Sequence, residues 1–339
     1  MQLVTGGTGI VGAHLLHRLA AQGPVRALRR AGSAIGVVER IFRHYGPDAA
    51  ERLARIEWVP GDLHDMPALE DAMQGVRQVY HAAALVSFDP RDLRTLRHVN
   101  VQGTANVVNA ALLSGVQRLC HVSSTAALGH APTGAVDEAL PWAPDAHTSG
   151  YAWSKYEAEL EVQRGIAEGL DAVLANPSVI LGPGAAGRSS MSLAERLQRG
   201  TRFHPPGSNS FVDARDVADA LITLMERGSS GERYLLVGSN LPYAELFKRY
   251  AEGFGHPPPD RAVAPWMLGL AWRVERLRTL LTGGRPLVTR HTVHSALAQH
   301  NYSNAKAQAL GITFRPVQDS VDNVVRYLTG EDRGRGNGT

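Results

Sequence analysis

At 339 residues, with 44% hydrophobic and 20% charged side chains, the chain has an ordinary globular composition and enough length for a large core divided between two lobes. The formal net charge of +3 is small and the arginines are scattered, which argues against nucleic-acid binding. A single cysteine, Cys120, excludes an internal disulfide and points to a reducing, cytoplasmic setting; no run of 18 apolar residues offers a membrane span, and Met1 leads directly into an apolar strand rather than a signal peptide.

The first element is a short buried strand, Gln2 to Thr5. It runs into Gly6-Gly7-Thr8-Gly9-Ile10-Val11-Gly12, after which Ile10, Val11, Leu15, Leu16 and Leu19 recur at helical spacing. Glycines between a strand and a helix allow a tight turn and let backbone N–H groups approach a ligand. The positive end of the helix dipole points at the same place, so the arrangement suits a phosphate.

Strand-like runs follow at 25–29, 56–60, 78–82, 118–124 and 172–177, with helical stretches at 66–74, 91–114 and 151–168 between them. Strands alternating with helices predict an α/β fold, a doubly wound parallel sheet of the Rossmann type. The second strand ends in Arg29 and Arg30 with no carboxylate nearby. An acidic residue there would bind a ribose 2′-hydroxyl and select NAD(H), whereas arginine accommodates a 2′-phosphate, so NADP(H) is the preferred cofactor and NAD(H) the second choice. His81 and His121 end two strands and read as core or cleft histidines, because no second residue has metal-ligand spacing; no metal site is expected. Cys120, inside RLCHV, reads as a core thiol.

Ser123, Ser124 and Thr125 end the strand at 118–124, where open parallel sheets bind their ligands. One of these hydroxyls can orient a substrate carbonyl while another caps the next segment. Asp137 and Glu138 then lie in a polar loop and read as solvated. In YAWSK, Tyr151 and Lys155 are four residues apart and share one helix face. An ammonium beside a phenol favours the phenolate and brings a poor acid into useful range. Lysine occurs only at positions 155, 248 and 306 in a chain that otherwise uses arginine, which singles out Lys155 further.

Beyond Pro177 the alternation gives way to segments rich in glycine and proline. A helix near 215–227 and a strand at 233–238 return to the main sheet; helices at 243–254, 265–282 and 316–329 build a smaller lobe. The expected division is therefore 1–177 plus about 211–240 for the dinucleotide, and about 178–210 plus 241–330 for the substrate, with 331–339 a disordered tail. The stretch 262–281 is amphipathic and carries Trp266, Met267 and Trp272; it packs on its own lobe, walls an apolar substrate or touches a membrane surface.

Taken in order, the glycine-rich turn, GDL at 61–63, HAAA at 81–84, Ser-Ser-Thr and Tyr-x-x-x-Lys resemble the extended short-chain dehydrogenase/reductase superfamily. The likeness runs on through ANPSVILGPG at 175–184 and FVDARDVADA at 211–220, and so covers nearly the whole chain. It implies that the turn from Gly6 to Gly12 holds the pyrophosphate, that Asp62 and Leu63 lie at the adenine, that Ala82, Ala83 and Ala84 line the dinucleotide, and that Pro177, Ser178 and Val179 lie by the nicotinamide. It also makes Ser124 the catalytic serine, Tyr151 the acid/base, Lys155 its ribose-binding partner and Asn100 a residue behind the site, and it implies a homodimer.

The expected activity is hydride transfer between a nicotinamide and a small carbonyl or alcohol substrate. A sugar dehydratase of this superfamily carries Asp-Glu after the catalytic hydroxyl, where this chain has Ala126 and Ala127. A nucleotide-sugar epimerase with tightly bound NAD stays open, since Arg188, Arg196, Arg199 and Arg202 could meet a diphosphate. A non-catalytic dinucleotide-binding regulator is the third reading, and the intact Tyr151 and Lys155 argue against it. The run PPGSNS at 205–210 carries no cation where sugar epimerases place an arginine, so a substrate without a nucleotide, as in the dihydroflavonol reductase and 3β-hydroxysteroid dehydrogenase branch, is favoured.

Overall fold

A computed structural model describes residues 1–129, 134–286 and 288–330. In chain order its first half contains β1 (Gln2–Thr5), α1 (Ile10–Gln22), β2 (Val25–Arg29), α2 (Ile35–Tyr45), α3 (Ala49–Ala54), β3 (Ile56–Pro60), α4 (Met66–Met73), β4 (Gln78–His81), α5 (Leu93–Leu96), α6 (Gly103–Leu113), β5 (Arg118–Val122), α7 (Gly150–Ala167) and β6 (Ala172–Pro177). The second half contains β7 (Val179–Leu181), α8 (Ser189–Leu197), β8 (Phe203–His204), β9 (Ser208–Asp213), α9 (Ala214–Arg227), β10 (Arg233–Leu236), β11 (Ser239–Pro242), α10 (Tyr243–Gly253), β12 (Arg261–Ala262), α11 (Pro265–Thr282), α12 (Arg290–Leu297), α13 (Ala305–Ala309) and α14 (Val317–Thr329).

Seven strands form one sheet in the order β10-β6-β5-β4-β1-β2-β3, every neighbouring pair parallel. The order reverses between β1 and β4, and a crevice outside the carboxyl ends of the strands opens at such a switch point. Both faces are covered, so neighbouring residues of one strand enter different cores. Leu3 and Leu119 join the core with Val107, Val108 and Val162 of α6 and α7. Val4 and Cys120 join the opposite core with Leu15, Leu16, Val217 and Leu221 of α1 and α9. Burial drives the Cys120 thiol up to about 12, as expected of a core residue.

A second sheet, β11-β9-β7, has its own apolar core of Leu181, Met191, Phe211, Leu246, Phe247 and Val321. It branches directly from the main sheet, because Pro177 ends β6 and Val179 begins β7. The sequence patterns placed the main strands well; the short β7, β9 and β11 were not foreseen, being brief and interrupted by glycine, proline and polar residues.

Two expectations need correction. The stretch 91–114 is not one helix: α5 passes through a π-helical turn, Arg97–Gln102, before α6 begins. Glu138 is not simply solvated, since its carboxylate accepts a 2.8 Å hydrogen bond from the Leu235 N–H. That N–H lies on β10, an edge strand, where the sheet supplies no partner on the open side. Helix α11 half-buries Met267, Leu268 and Trp272 and leaves Trp266, Leu270, Val274, Leu277 and Leu281 exposed. The expected tail, 331–339, lies outside the described residues.

Candidate active site

The glycine-rich turn closes on itself. Gly6 has φ +72°, a conformation that disfavours side chains, and a Cβ there would lie 2.6 Å from the Ala83 backbone. A Cβ on Gly12 would run into the Gly6 carbonyl. The Gly9 N–H donates to that same carbonyl at 2.9 Å. Gly9 then caps α1 without any side-chain hydrogen bond, and no acidic residue occupies the first turn. The early N–H groups of the helix lack intrahelical acceptors, and the dipole adds positive potential there. The residues present therefore fit a dinucleotide pyrophosphate.

Around this turn the other expected cofactor residues come together. Ala82 and Ala83 follow β4, their N–H groups reaching Thr5 O at 3.2 Å and Thr5 Oγ1 at 3.4 Å. Arg29 ends β2, and the exposed Arg30 lies 4.0 Å from the Asp62 carboxylate beyond β3. Asp62 accepts from the His64 N–H at 3.0 Å, and the Leu63 carbonyl accepts from Asn106 at 2.8 Å. Ser178 hydrogen-bonds to Leu236 O through both its N–H and its hydroxyl, anchoring the bend between Pro177 and Val179. Asn100, in the π-helical turn, is buried behind these elements. Its amide donates to Leu85 O and to Ser154 Oγ, both at 2.9 Å, and its carbonyl accepts from Leu85 N at 2.7 Å. It fixes the backbone that follows Ala84.

Tyr151 sits in the first turn of α7, which Ser149 caps by accepting from the Ala152 N–H at 3.1 Å. The tyrosine hydroxyl lies beside Ser124, whose Oγ accepts from Ala126 N at 3.1 Å. Phe88 lies edge-on to the Tyr151 ring with centroids 5.8 Å apart. Burial raises the Tyr151 pKa, and the neighbouring Ser124 hydroxyl opposes that rise. Lys155, fully buried one turn on, donates to Val122 O at 2.9 Å and lies 3.5 Å from His121 Nε2. Burial pulls it down to about 8, opposed by Glu159.

A layer behind Lys155 escaped the sequence reading. Glu159 accepts from Asn176 Nδ2 at 2.6 Å and pairs with Arg233 Nε at 2.7 Å. Asn176 Nδ2 also donates to the Ser124 carbonyl at 3.0 Å. The signal was present, since Tyr151, Lys155 and Glu159 repeat every four residues along one face of α7. The two strand-end histidines belong here as well. His81 bonds Thr5 Oγ1 at 2.7 Å and Thr104 Oγ1 at 3.0 Å; burial lowers it to about 3. His121 is held well below its usual value by burial and by Lys155. Among the described residues no cluster of three His, Cys, Asp or Glu could hold a metal ion.

The C-terminal half closes over this loop. Tyr302 lies beside Thr125, and His291 reaches the His147 carbonyl, just before α7, at 3.0 Å. Arg188 at the start of α8, Arg196 on it, and Arg199 and Arg202 after it are exposed, with Arg202 paired to Asp260 at 3.3 Å.

Residues 2–237 match the model of the NAD dependent epimerase/dehydratase family. The chain belongs to that family. Within the NAD dependent epimerase/dehydratase family it falls in the extended short-chain dehydrogenase/reductase branch that includes dihydroflavonol reductases and 3β-hydroxysteroid dehydrogenases, and it is an NAD-dependent enzyme of that superfamily. It is 34% identical over 272 residues to sterol demethylase protein B of Methylococcus capsulatus, covering 78% of each chain. It is 32% identical over 337 residues to a Synechocystis protein provisionally called dihydroflavonol 4-reductase, covering 96% of this chain and 93% of that one. Among solved structures it resembles gox2253, with a TM-score of 0.79, 30% identity and coverage of 98% and 99%.

Proposed function

We propose that the protein is a reductase that uses NADP(H) to interconvert a carbonyl and an alcohol on an apolar substrate carrying no nucleotide. The observation that carries this reading is the Tyr151 phenol beside Ser124, one helical turn from the buried Lys155. A phenol and a serine hydroxyl at one point can both hold a carbonyl oxygen, and the phenol can also give it a proton. When bound, the dinucleotide supplies or accepts the hydride. The chain's own residues do the rest. Ser124 orients the carbonyl, and Tyr151 donates the proton to its oxygen. Lys155 has three N–H donors, of which Val122 and His121 take two, which leaves one for a ribose hydroxyl.

The turn from Gly6 to Gly12 holds the pyrophosphate, and Asp62, Leu63 and Ala82 to Ala84 line the dinucleotide. Arg30, with Arg29 beside it, receives the 2′-phosphate, and Pro177 to Val179 flank the nicotinamide. Residues 1–177 with about 211–240 form the dinucleotide lobe; about 178–210 with 241–330 form the substrate lobe.

An apolar substrate is supported by the Phe88 ring against Tyr151 and by the relatives named for a sterol and a dihydroflavonol. Arg202 is engaged by Asp260, which weakens the diphosphate alternative. Purified protein tested with NADPH and NADH on a panel of apolar ketones and aldehydes should oxidise NADPH. Micromolar binding of uridine or thymidine diphosphate, abolished by removing one of the four arginines, would replace this reading with a nucleotide-sugar epimerase.

A further inference from the structure

Along α11, Trp266, Leu270, Val274, Leu277 and Leu281 follow one another at steps of four, four, three and four residues, so they lie on one face. That face points to solvent: Trp266 is 70% exposed, Leu281 78%, and the three between them are each more than half exposed. Leu280 lies beside the row, also exposed. A continuous apolar stripe of this kind is uncommon on a soluble monomer and marks a contact surface.

The charges around the stripe select what covers it. Between Pro265 and Arg290 there are five arginines, at 273, 276, 278, 285 and 290, against the single acid Glu275. Glu275 is occupied by Arg278 at 2.8 Å and Asp92 pairs with Arg285 at 3.4 Å, which leaves Arg273, Arg276 and Arg290 without a carboxylate partner among the described residues. Two copies meeting through this face would bring their arginines together with no acceptor left over. A bilayer carrying anionic headgroups meets the arginines and the apolar row at once, with the Trp266 indole at the interface depth tryptophan favours.

The helix is also tied to the mouth of the candidate site. It ends at Gly283, where φ is +66°. Arg91 donates to the carbonyls of Gly283 at 3.4 Å and Gly284 at 2.9 Å, and Arg285 pairs with Asp92 at 3.4 Å. The same short loop exposes Val86, Phe88 and Leu93, and Phe88 is the ring on Tyr151.

We infer that α11 is a docking helix for an anionic membrane surface, and that it holds the Phe88 side of the site against the bilayer so that an apolar substrate passes to Tyr151 without crossing water. The delivery step rests on the apolar-substrate reading above; the docking does not.

The test is cosedimentation of the full-length protein with phosphatidylcholine vesicles, with and without phosphatidylglycerol. Binding is expected only with the anionic lipid and should weaken as salt rises. Leu270→Gln/Leu277→Gln should lower it at least about tenfold, and Arg273→Gln/Arg276→Gln several-fold. Melting temperature, NADPH affinity and turnover of a water-soluble carbonyl should stay unchanged in both variants. In the wild type, brominated lipid should quench fluorescence that Trp266→Phe removes. Absence of vesicle binding, equal binding by the variants, or a solution dimer that Leu270→Gln/Leu277→Gln dissociates would each overturn the docking. Vesicle binding that persists while no apolar carbonyl compound is turned over leaves the docking standing and removes the substrate reading.

Discussion

Glu159 and Asn176 meet through a 2.6 Å hydrogen bond, and the same Asn176 nitrogen reaches the Ser124 carbonyl at 3.0 Å. The two residues join the helix that carries Tyr151 and Lys155 to the loop that carries Ser124. Glu159 also opposes the fall in the Lys155 pKa.

That arrangement predicts the pH behaviour of Glu159→Gln. The amide can still accept from Asn176, so the loop should stay in place. The negative charge that supports the Lys155 ammonium is lost, so Lys155, already down at about 8, should lose its proton at lower pH. The alkaline limb of the kcat profile should move toward neutrality. Unchanged profiles in Glu159→Gln and wild type would show that Glu159 only packs. Glu159→Ala should instead destabilise the fold, because it strands Arg233 and Asn176.

Replacing Tyr151 with Phe keeps the ring against Phe88 and removes the hydroxyl beside Ser124. Cofactor affinity should be retained, and turnover should fall at least roughly a hundredfold, the scale of a general acid. Lys155→Met should weaken both. Wild-type turnover in Tyr151→Phe, measured with saturating NADPH, would remove tyrosine from the mechanism.

Lys155 also couples stability to pH. Its folded pKa of about 8 lies below that of an unfolded lysine, about 10.4. Between those values the unfolded chain holds the proton and the folded chain does not, so stability rises with pH across that window. Below it the buried ammonium is a standing cost of roughly 3 kcal/mol. Lys155→Met should therefore melt above wild type at pH 7, and the difference should shrink by about pH 10. A gap that stays constant with pH would contradict this.

At the acid end, four buried histidines act together. His14 and His17 are lowered to about 4, His81 to about 3 and His121 well down, burial being the main cause at each. Unfolded, each binds its proton near 6.5, so the unfolded state holds more protons as pH falls below that value and stability is lost. Unfolding at pH 5 should take up about four protons from these side chains beyond the carboxylate contribution. Calorimetry in buffers of different ionisation enthalpy measures that number, and an uptake near zero would contradict it.

Arg30 offers the cleanest test of cofactor choice. It is exposed, touches Asp62 only at 4.0 Å and has little structural work to lose. Arg30→Ser should weaken NADPH binding by about tenfold or more and leave NADH nearly unaffected, since one charge-assisted phosphate contact is removed. Titration of both cofactors against wild type and variant decides it; tighter NADH binding by the wild type would rule out the preference.

The fold and the front of the site were legible in the sequence because their signals are local. A glycine turn between a strand and a helix, and a tyrosine four residues before a lysine, each specify a shape within one or two elements. The main strands stood out for the same reason, as apolar runs buried on both faces. Glu138 could not be read this way, because its partner, Leu235 N–H, lies 97 residues on and is exposed only by the position of β10 at the sheet edge. Glu159 sat on the right helix face, yet its meaning depends on Asn176 and Arg233, which arrive from β6 and β10. The pattern of α11 was fully visible as alternating apolar and basic residues. Periodicity fixes which residues share a face, but whether that face turns toward the core or toward solvent depends on what packs beside it, and only the tertiary structure decided that.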